Sequence, residues 1–512
     1  MKNIAFSSIT LDKLSRIFWA AALVALPVTS FRYFPFLGED TLVRPLALYP
    51  LAFLLPLLFI QWIRPADSGR GRHQRTFPWV GSTLLLGLFV FAVLAITSLG
   101  ALLDPIPLRN QTFLGRAIRS WATLIIGLVF FISAAWMNRD EEDIRFTVRW
   151  ILVGFGIDLV WIGLQGVTFY TGLLEKEMVT HWQLAFSMRE LVRTNRISGM
   201  AYEPAWLAGQ IATIYLPWLF AALLTKIRIF SRTKWLEPAL FALSFFVILA
   251  TYSRGGLLVA LGATALTFIL VGHETYRGMW TWFMSGFRTR SLDLLMRLGL
   301  IAMVIGIFFG AFLFLSQKNF FRRLWETSAS NLAEYLVDIN AGGRGAYATG
   351  ALAAFEKYPI TGVGLGASGF YIYANLPDWT LTTVPEIARQ LNPQNRLYPN
   401  PKNMYVRLLA ETGLVGFVLF LVFQFSVLGD ALIALRHRGL LRFVGIAGLF
   451  AWVAIALYNV TQDSLTTPNI WLIPGILAGV WSAKSSRSTP VGPDFAVQRL
   501  QSLHSENNEE RS

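Results

Sequence analysis

Long apolar runs separated by short polar segments make up most of this sequence. A run of about 17–25 apolar residues has the length that an α-helix needs to cross the hydrocarbon core of a bilayer. Such runs follow one another along the chain, near 15–31, 42–63, 79–99, 117–137, 147–172, 203–224, 236–252, 256–272, 295–316, 405–428, 442–460 and 469–482. The pattern predicts an all-α integral membrane protein with about 12 transmembrane helices.

The segments outside these runs indicate how the chain is divided. We expect residues 1–14 to be a cytoplasmic N-terminus and residues 15–482 to be one polytopic transmembrane domain. Within that domain, residues 317–402 separate the ninth and tenth spans. They are too long for a simple connection, so they predict a large external loop. Residues 483–512 are polar and acidic at their end, which is typical of a disordered tail.

Basic residues recur in alternate connections between the runs. In helical membrane proteins the cytoplasmic connections carry an excess of Lys and Arg. With a cytoplasmic N-terminus, the basic connections within 64–75, 139–149, 226–234, 277–297 and 436–442 all fall on the same side. The pattern predicts that both termini are cytoplasmic and that the large loop is outside. Because topology accounts for much of the net charge of +14, that charge does not indicate a nucleic-acid partner.

Composition excludes several kinds of site. Hydrophobic residues make up 54% of the chain and charged residues only 14%, which is not the profile of a soluble globular domain. The chain has no cysteine, so it has no disulfide, no thiolate nucleophile and no Cys-ligated metal. Its five histidines are scattered without the spacing of metal ligands. We therefore predict neither a metal site nor a cofactor.

One arginine stands between the seventh and eighth runs, in the sequence TYSRGG at 251–256. A charged side chain at the centre of a bilayer costs roughly 2.5–3.5 kcal/mol on the insertion scale. The predicted topology places Arg254 in a tight turn on the outer side, where Gly255 and Gly256 permit sharp bending. The Arg254 guanidinium either extends to a lipid phosphate or belongs to an anion site for a membrane-bound substrate.

A carboxylate stands just before the sixth run. The preceding outer loop carries Arg189 and Arg196 and leads into Glu203-Pro204. Proline is favoured in the first turn of a helix and glutamate near its positive end, so one interpretation is a simple helix start. The other is a partly desolvated carboxylate that accepts a proton or orients an arginine.

The large outer loop combines aromatic and glycine-rich segments. Tyr347 and the aromatic side chains at 358, 370, 371, 373, 379 and 398 suit either sugar rings or an interfacial belt. The stretch AYATGALAAFEKY, at 346–358, predicts a short helix. The GVGLG segment at 362–366 follows a helical pattern outside the cytoplasm. It therefore lacks the context of a dinucleotide fingerprint, and we interpret it as a close-packed turn.

Four segments, in this order, resemble the O-antigen polymerase and ligase superfamily. They are R-x-S-G-x-x-x-E-P before the sixth span, S-R-G-G between two spans, G-R followed by the G-V-G-L-G turn, and N-x-Y-V-x-x-L-x-E-T-G-L-V-G at the start of the tenth span. The resemblance covers residues 190–425 or so. It implies a bacterial inner-membrane glycosyltransferase with a GT-C-like helical fold. Such enzymes use undecaprenyl-diphosphate-linked glycans at the periplasmic face, without a metal.

The matching positions and the chemistry of that reaction suggest roles. Fixed guanidinium groups stabilise a departing diphosphate, so we expect Arg254 and Arg344 to act in place of a metal. Glu203 is the first candidate for the base that deprotonates the acceptor hydroxyl. The expected substrate-binding residues are Arg196, Lys402, Asn403, Tyr405 and Tyr347. Glu411 is a weaker candidate base, because Arg407 lies four residues earlier on the same helix face and is expected to pair with it.

Two positions depart from the family's pattern, and the first of them, together with the Glu-Pro start of the sixth span, favours a polymerase over a ligase. Lys402 stands where ligases of the family often have histidine, and Ala348 stands where many members have tryptophan. We expect a polymerase for O-antigen or exopolysaccharide repeat units. Its partners would be undecaprenyl-diphosphate-linked donor and acceptor glycans, membrane lipid and a chain-length regulator protein.

Two alternatives stay open. One is an O-antigen ligase that transfers the glycan to lipid A–core or to a protein acceptor, with the same chemistry at the donor. The other is a transporter of lipid-linked glycans or small molecules. Transporters place polar sites near the midplane, often on broken helices in matched halves, and the sequence shows no such repeat.

Overall fold

The computed structural model describes residues 8–33, 41–63, 77–191, 195–230, 233–288, 291–317, 319–322, 326, 328–339, 341–395 and 397–488. Within these ranges every regular element is helical, and β-structure is limited to two isolated bridges, Ser30–Arg44 and Leu108–Gln111. The predicted all-α class is therefore confirmed. Residues 1–7 of the expected N-terminus, the whole basic connection at 64–75 and most of the expected tail lie outside the described residues.

The first half of the chain supplies the helices that precede the large loop. Their bounds are α1 (Ser8–Val24), α2 (Leu48–Ile63), α3 (Gly81–Gly100), α4 (Phe113–Met137), α5 (Glu141–Tyr170), α6 (Lys176–Leu184), α7 (Pro204–Gln210), α8 (Leu216–Thr225), α9 (Leu236–Ala250), α10 (Arg254–Val271), α11 (His273–Ser285) and α12 (Ser291–Ser316). A π turn at Ile211–Tyr215 joins α7 to α8 into one continuous span, and 3₁₀ turns follow α3 and α11 at Ala101–Leu103 and Gly286–Arg288.

The second half of the chain begins with short helices and ends with long ones. Their bounds are α13 (Asn319–Arg322), α14 (Leu332–Asp338), α15 (Gly342–Lys357), α16 (Gly369–Ile372), α17 (Asp378–Thr383), α18 (Pro385–Leu391), α19 (Met404–Leu435), α20 (Leu440–Tyr458) and α21 (Leu472–Ser488). Single 3₁₀ turns lie at Tyr373–Asn375 and Pro468–Ile470.

Each apolar run of the sequence overlaps one of these helices. Among the described residues, seven helical segments are long and apolar enough to cross a membrane: Gly81–Leu103, Phe113–Met137, Glu141–Tyr170, Pro204–Thr225, Arg254–Val271, Met404–Leu435 and Leu440–Tyr458. Leu48–Ile63 and Leu236–Ala250 are shorter apolar helices. The chain is thus a helical membrane protein, and the number of twelve spans stays a prediction.

The span Pro204–Thr225 occupies the centre of the helix bundle. Within the apolar stretch of this span 89% is buried inside the protein, whereas within that of Arg254–Val271 only 28% is buried. Tyr215 stacks on Phe155 of α5 with ring centroids 4.5 Å apart, and Trp218 packs on Phe443 of α20 at 5.6 Å. Outward-facing side chains such as Ile269, which is 74% exposed, are the apolar surface that lipid covers.

The segment expected to form the external loop folds around a small core of its own. Buried side chains of α15, α18 and the start of α19 meet there, among them Ala346, Tyr347 and Ile387. The short helix predicted from AYATGALAAFEKY is present as α15, and this helix packs along α19. The side of the membrane on which this segment lies stays a prediction.

The glycine-rich turn at 362–366 fits into a break in α19. The three turn glycines have positive φ angles of 64°, 94° and 86°, and Gly413 of α19 has φ 61° and ψ −165°. Gly362, Gly364 and Gly366 approach backbone or ring atoms so closely that an added Cβ would clash. The predicted close-packed turn is confirmed.

Backbone hydrogen bonds join the two sides of this break. The N–H groups of 363 and 364 donate to the carbonyls of 410 and 411 at 3.0 and 2.9 Å. In return, the N–H groups of 414 and 415 donate to the carbonyls of 359 and 360 at 2.8 and 3.2 Å. Two carbonyl groups and two N–H groups of α19 at the break therefore have partners in the loop segment, as a buried backbone requires.

We expect Gly413→Ala to destabilise the protein. The backbone region of Gly413 is nearly restricted to glycine and costs other residues roughly 1–3 kcal/mol, and an added Cβ would collide with the carbonyl of Ile360. Thermal unfolding in detergent should show a lowered midpoint. Gly429→Ala, in the same helix with open space around its Cα, is the matched control and should be neutral or slightly stabilising. Equal melting behaviour of the two variants would contradict the expected strain at the break.

Candidate active site at one end of the helix bundle

The span that starts at Pro204, α10 and α19 begin at one end of the bundle, where α9 and α20 end. The start of α10 lies against α7, since an added Cβ at Gly256 would collide with Ala208. The start of α19 lies against the end of α20, where the Met404 N–H donates to the carbonyl of Asn459 at 2.8 Å. Helix N-termini carry partial positive charge and helix C-termini partial negative charge, so anions are favoured locally at the starts of these three spans.

Arg196 ties the loop after α6 to the turn between α9 and α10. Its Nε donates to the carbonyl of Thr251 at 3.0 Å and its Nη2 to that of Tyr252 at 3.4 Å. Burial lowers the pKa of the Arg196 guanidinium, and the nearby Glu203 carboxylate opposes that change. Arg196 therefore positions the turn that precedes Arg254.

Arg254 is the first residue of α10. Only residues 251–253 separate α10 from α9, so the expected tight turn is present. The Ser253 hydroxyl accepts from the Gly256 N–H at 3.2 Å and caps the helix. The half-buried Arg254 donates through Nη2 to the carbonyl of Ile339 at the end of α14. Tyr252 has φ 50°, a left-handed conformation that is uncommon outside glycine and is found at functional sites.

Glu203 stands at the start of α7, with Pro204 in the first helical position. The helix-start interpretation is therefore confirmed, but the Glu203 carboxylate makes no capping hydrogen bond with α7. The Glu203 carboxylate interacts electrostatically with two arginines, Arg189 and Arg196. Burial lowers the pKa of both guanidinium groups, and the negative charge of Glu203 opposes that lowering. Burial raises the pKa of Tyr202, and Glu203 adds to that increase.

Arg344 lies in the first turn of α15 and is exposed. Tyr458, the last residue of α20, lies within electrostatic range of both Glu203 and Arg344 and is only 6% exposed. The phenol of Tyr458 therefore lies near a carboxylate and a guanidinium whose residues are 141 positions apart in the chain (344 minus 203). Nothing in the sequence distinguishes Tyr458 from the other aromatic residues that end apolar runs.

The start of α19 holds three of the predicted residues. Asn403 caps this helix, since its Oδ1 accepts from the N–H of Tyr405 at 2.9 Å. The Tyr405 hydroxyl donates to the carbonyl of Ala456 at 2.8 Å. Lys402 is exposed, with φ 58°, and its backbone N–H donates to Oδ2 of Asp463 at 2.9 Å. Asn403 and Tyr405 thus shape this helix start, while the Lys402 side chain faces outward.

Tyr347, one turn after Arg344 in α15, is buried in the core of the loop segment. It is 1% exposed and its ring packs beside that of Tyr373 with centroids 6.4 Å apart, inside the core of the loop segment. This position gives Tyr347 a packing role. Its expected contact with substrate stays a prediction.

Arg407 and Glu411 form the expected ion pair. Arg407 Nε lies 2.9 Å from Glu411 Oε2, and both side chains are largely buried. Ser368 donates to the other carboxylate oxygen at 2.8 Å, and Arg407 also donates to the carbonyl of Asp463 at 2.6 Å. This network joins α19 to the loop segment and to the connection after α20, so Glu411 has a structural role.

Asp158 and Gln165 of α5 hold the backbone that leads to Glu203. Gln165 Oε1 accepts from the N–H groups of Ser198 and Gly199 at 3.1 and 2.9 Å, and its Nε2 donates to the Gly199 carbonyl at 2.9 Å. Asp158 Oδ1 accepts from the Met200 N–H at 2.8 Å. We name these two side chains the α5 latch. Their spacing of seven residues, which puts both on one helix face, was the signal in the sequence.

The structure therefore brings seven of the eight predicted residues to one end of the bundle, including Asn403 and Tyr405 at the start of α19. We give the name polar rim to Tyr458 and the other five: Arg196, Glu203, Arg254, Arg344 and Lys402. Among the described residues, no three His, Asp or Glu side chains are grouped in a way that could hold a metal ion. Independence from metal stays a prediction.

A comparison with known families bears on the same part of the chain. Residues 239–421 match the family described as O-antigen ligase. The predicted resemblance to the O-antigen polymerase and ligase superfamily is thereby confirmed. No curated protein matches the chain.

The matched region covers part of the polar rim. It includes Arg254, Arg344 and Lys402, and it leaves Arg196 and Glu203 outside. The match supports a function of the O-antigen ligase or polymerase type, with lipid-linked glycans in the membrane as substrates. The roles of individual residues in such a function stay predictions.

We expect Gln165→Leu to release the loop before Glu203. The substitution leaves two buried N–H groups without their acceptor, at a cost of roughly 1–3 kcal/mol each. Trypsin cleavage after Arg189 or Arg196 should accelerate, and the thermal midpoint should fall. Val160→Leu, at a 77% exposed position of the same helix, should change neither quantity. An unchanged cleavage rate in Gln165→Leu would show that the α5 latch does not hold the loop.

Proposed function

We propose that this protein is a glycosyltransferase of the bacterial inner membrane. It polymerises undecaprenyl-diphosphate-linked oligosaccharide repeat units, for an O-antigen or an exopolysaccharide, without a metal. The match to the O-antigen ligase family and the apolar spans support this class of enzyme. The observation that carries the proposal is the polar rim, where Arg254, Arg344 and Glu203 come from three different helix starts.

Departure of the diphosphate is the step that the cations of the polar rim assist. Negative charge develops on the diphosphate as the bond between the anomeric carbon and the phosphate oxygen breaks. One guanidinium group can donate to two phosphate oxygens at once, and it stabilises such charge when it is fixed in place. Arg254 and Arg344 supply these groups. The N-termini of the spans that start at Pro204, Arg254 and Met404 add partial positive charge.

Hydrogen bonds to and from the surrounding backbone hold Arg254 in place. Arg196 donates to the carbonyls of Thr251 and Tyr252, in the turn that precedes Arg254. Arg254 itself donates to the carbonyl of Ile339 at the end of α14. A guanidinium held in this way needs little reorganisation when charge develops, which is the condition for electrostatic catalysis. In this proposal Arg196 acts as a positioning residue, and exposed Lys402 attracts the diphosphate from outside.

Glu203 receives the proton of the acceptor. The attacking hydroxyl oxygen of the acceptor repeat unit bonds to the anomeric carbon of the donor glycan, and its proton passes to the Glu203 carboxylate. The products are the donor glycan joined to the acceptor repeat unit and free undecaprenyl diphosphate. Glu203 then releases the proton to water. Its carboxylate suits this role because no capping hydrogen bond to α7 occupies it.

The proposal places the polar rim in the periplasm and both termini in the cytoplasm. The basic side chains Arg145 and Arg149 lie at the start of α5, whose far end leads to the loop of the polar rim. Arg442 lies at the start of α20, whose far end carries Tyr458. Basic residues therefore mark the end of the bundle opposite the polar rim, as the positive-inside rule requires for a cytoplasmic side.

An O-antigen ligase is the second candidate, because the matched family is described by that activity. The same polar rim would assist loss of the diphosphate, and only the acceptor would differ. Lys402 favours the polymerase, since it stands where ligases of the family often have histidine.

Purified protein in detergent with a single lipid-diphosphate-linked repeat unit and EDTA should yield a ladder of longer lipid-linked glycans. Loss of the ladder on adding EDTA would contradict metal independence. Transfer only to a supplied lipid A–core or protein acceptor would establish the ligase instead. If neither product forms and the substrate crosses liposomes, the protein is a transporter.

We expect Arg254→Ala and Arg344→Ala each to lower polymer formation by roughly 100-fold or more, because removal of one fixed donor to a developing anion has an effect of that size. Glu203→Gln should also lose activity, since its amide cannot accept the proton. The gel profile of polymer from cells and from purified protein is the measurement.

The matched control is Arg145→Ala, which removes an exposed arginine at the opposite end of the bundle. This variant should make polymer of normal length. All variants should accumulate in the membrane at the level of the wild type. Normal polymer from both Arg254→Ala and Arg344→Ala would rule out the proposed stabilisation of the diphosphate.

A further inference from the structure

The basic connection between α10 and α12 contains a helix that the bundle does not cover. α11 begins at His273, two residues after α10 ends at Val271, so it starts where the span leaves the membrane. None of the residues His273–Ser285 is buried. This helix lies at the end of the bundle opposite the polar rim, because α10 starts at the rim with Arg254.

Aromatic rings form a continuous ladder along one face of this helix. Neighbouring ring centroids are 6.4 Å apart for Tyr276 and Trp280, 6.2 Å for Trp280 and Phe283, and 5.4 Å for Phe283 and Phe287. Tyr276, Trp280 and Phe287 are 57%, 51% and 59% exposed. We name these four residues the aromatic ladder. Its spacing of three and four residues places it on one side of the helix.

The opposite side of α11 carries Glu274 and Ser285, which contact α20 and α12 near the two ends of the helix. Glu274 pairs with Arg442 of α20 at 3.1 Å. Ser285 accepts from Arg297 of α12 at 2.8 Å, and the same guanidinium lies 5.0 Å from the ring centroid of Trp282. These contacts fix how the helix is turned, so the aromatic ladder points away from the bundle.

We propose that α11 lies flat in the membrane surface, with the aromatic ladder in the acyl region and arginines on anionic lipid phosphates. Two observations select lipid rather than a protein as the occupant. The apolar surface is continuous with the lipid-facing residues Ile269 and Leu270 at the end of α10, which are 74% and 64% exposed. Arg277 and Arg288 are exposed beside the ladder, and basic amphipathic helices with aromatic faces bind anionic interfaces.

The absence of cysteine from the chain makes a direct test possible. Single-cysteine variants Trp280→Cys and Thr281→Cys place a thiol on the ladder face and on the polar face. Each is labelled with an environment-sensitive fluorophore, in the full-length protein in phosphatidylcholine vesicles that contain spin-labelled lipids. We expect blue-shifted emission and at least threefold stronger quenching by the lipid spin label for the probe at position 280 than for the probe at 281.

A second arm tests the choice of lipid. Addition of phosphatidylglycerol to the vesicles should increase quenching of the probe at 280, and Arg277→Glu with Arg288→Glu should remove that increase. Equal quenching at 280 and 281 would overturn the proposal. So would cross-linking of the thiol at 280 to a second copy, which would identify the ladder as a protein interface.

Discussion

Backbone N–H and C=O groups inside a bilayer have no water to bind, so each interruption of a helix needs partners from elsewhere in the chain. The described residues meet this constraint at two places. At the break in α19, segment 359–364 supplies two donors and two acceptors to the helix. Before α7, the side chains of Asp158 and Gln165 bind the backbone of residues 198–200. Polar groups at these two places therefore connect segments that are distant in the chain.

These two connections, at the break in α19 and before α7, determine where the polar rim lies. The break at Gly413 docks the glycine turn onto α19, and α15, which carries Arg344, packs along the same helix. The α5 latch fixes the backbone that leads to Glu203. Arg196, in the same loop, donates hydrogen bonds to the turn before Arg254 and so fixes that turn as well. An acid and cations from positions far apart in the chain are thus held at one end of the bundle, and the proposed stabilisation of a departing diphosphate depends on groups that are fixed in place.

The two ends of the bundle differ in how their charges are held. At the polar rim, backbone carbonyl groups accept hydrogen bonds from Arg196 and Arg254, and the Glu203 carboxylate lies near Arg196. At the other end, Arg442 pairs with Glu274 and thereby orients α11. The first arrangement suits the binding of an anionic substrate, and the second suits attachment of an amphipathic helix to the lipid surface.

The sequence by itself determined the helical membrane class, the positions of the apolar helices, the tight turn at Arg254, the close-packed glycine turn and the pair Arg407–Glu411. All of these depend on local patterns: the length of an apolar run, the freedom of glycine or a spacing of four residues. Only the tertiary structure decided that Tyr458 lies near Glu203 and Arg344, that Tyr347 is buried and that α11 turns its rings outward. These contacts join residues far apart in the chain, and no local pattern specifies which distant partner meets a given side chain.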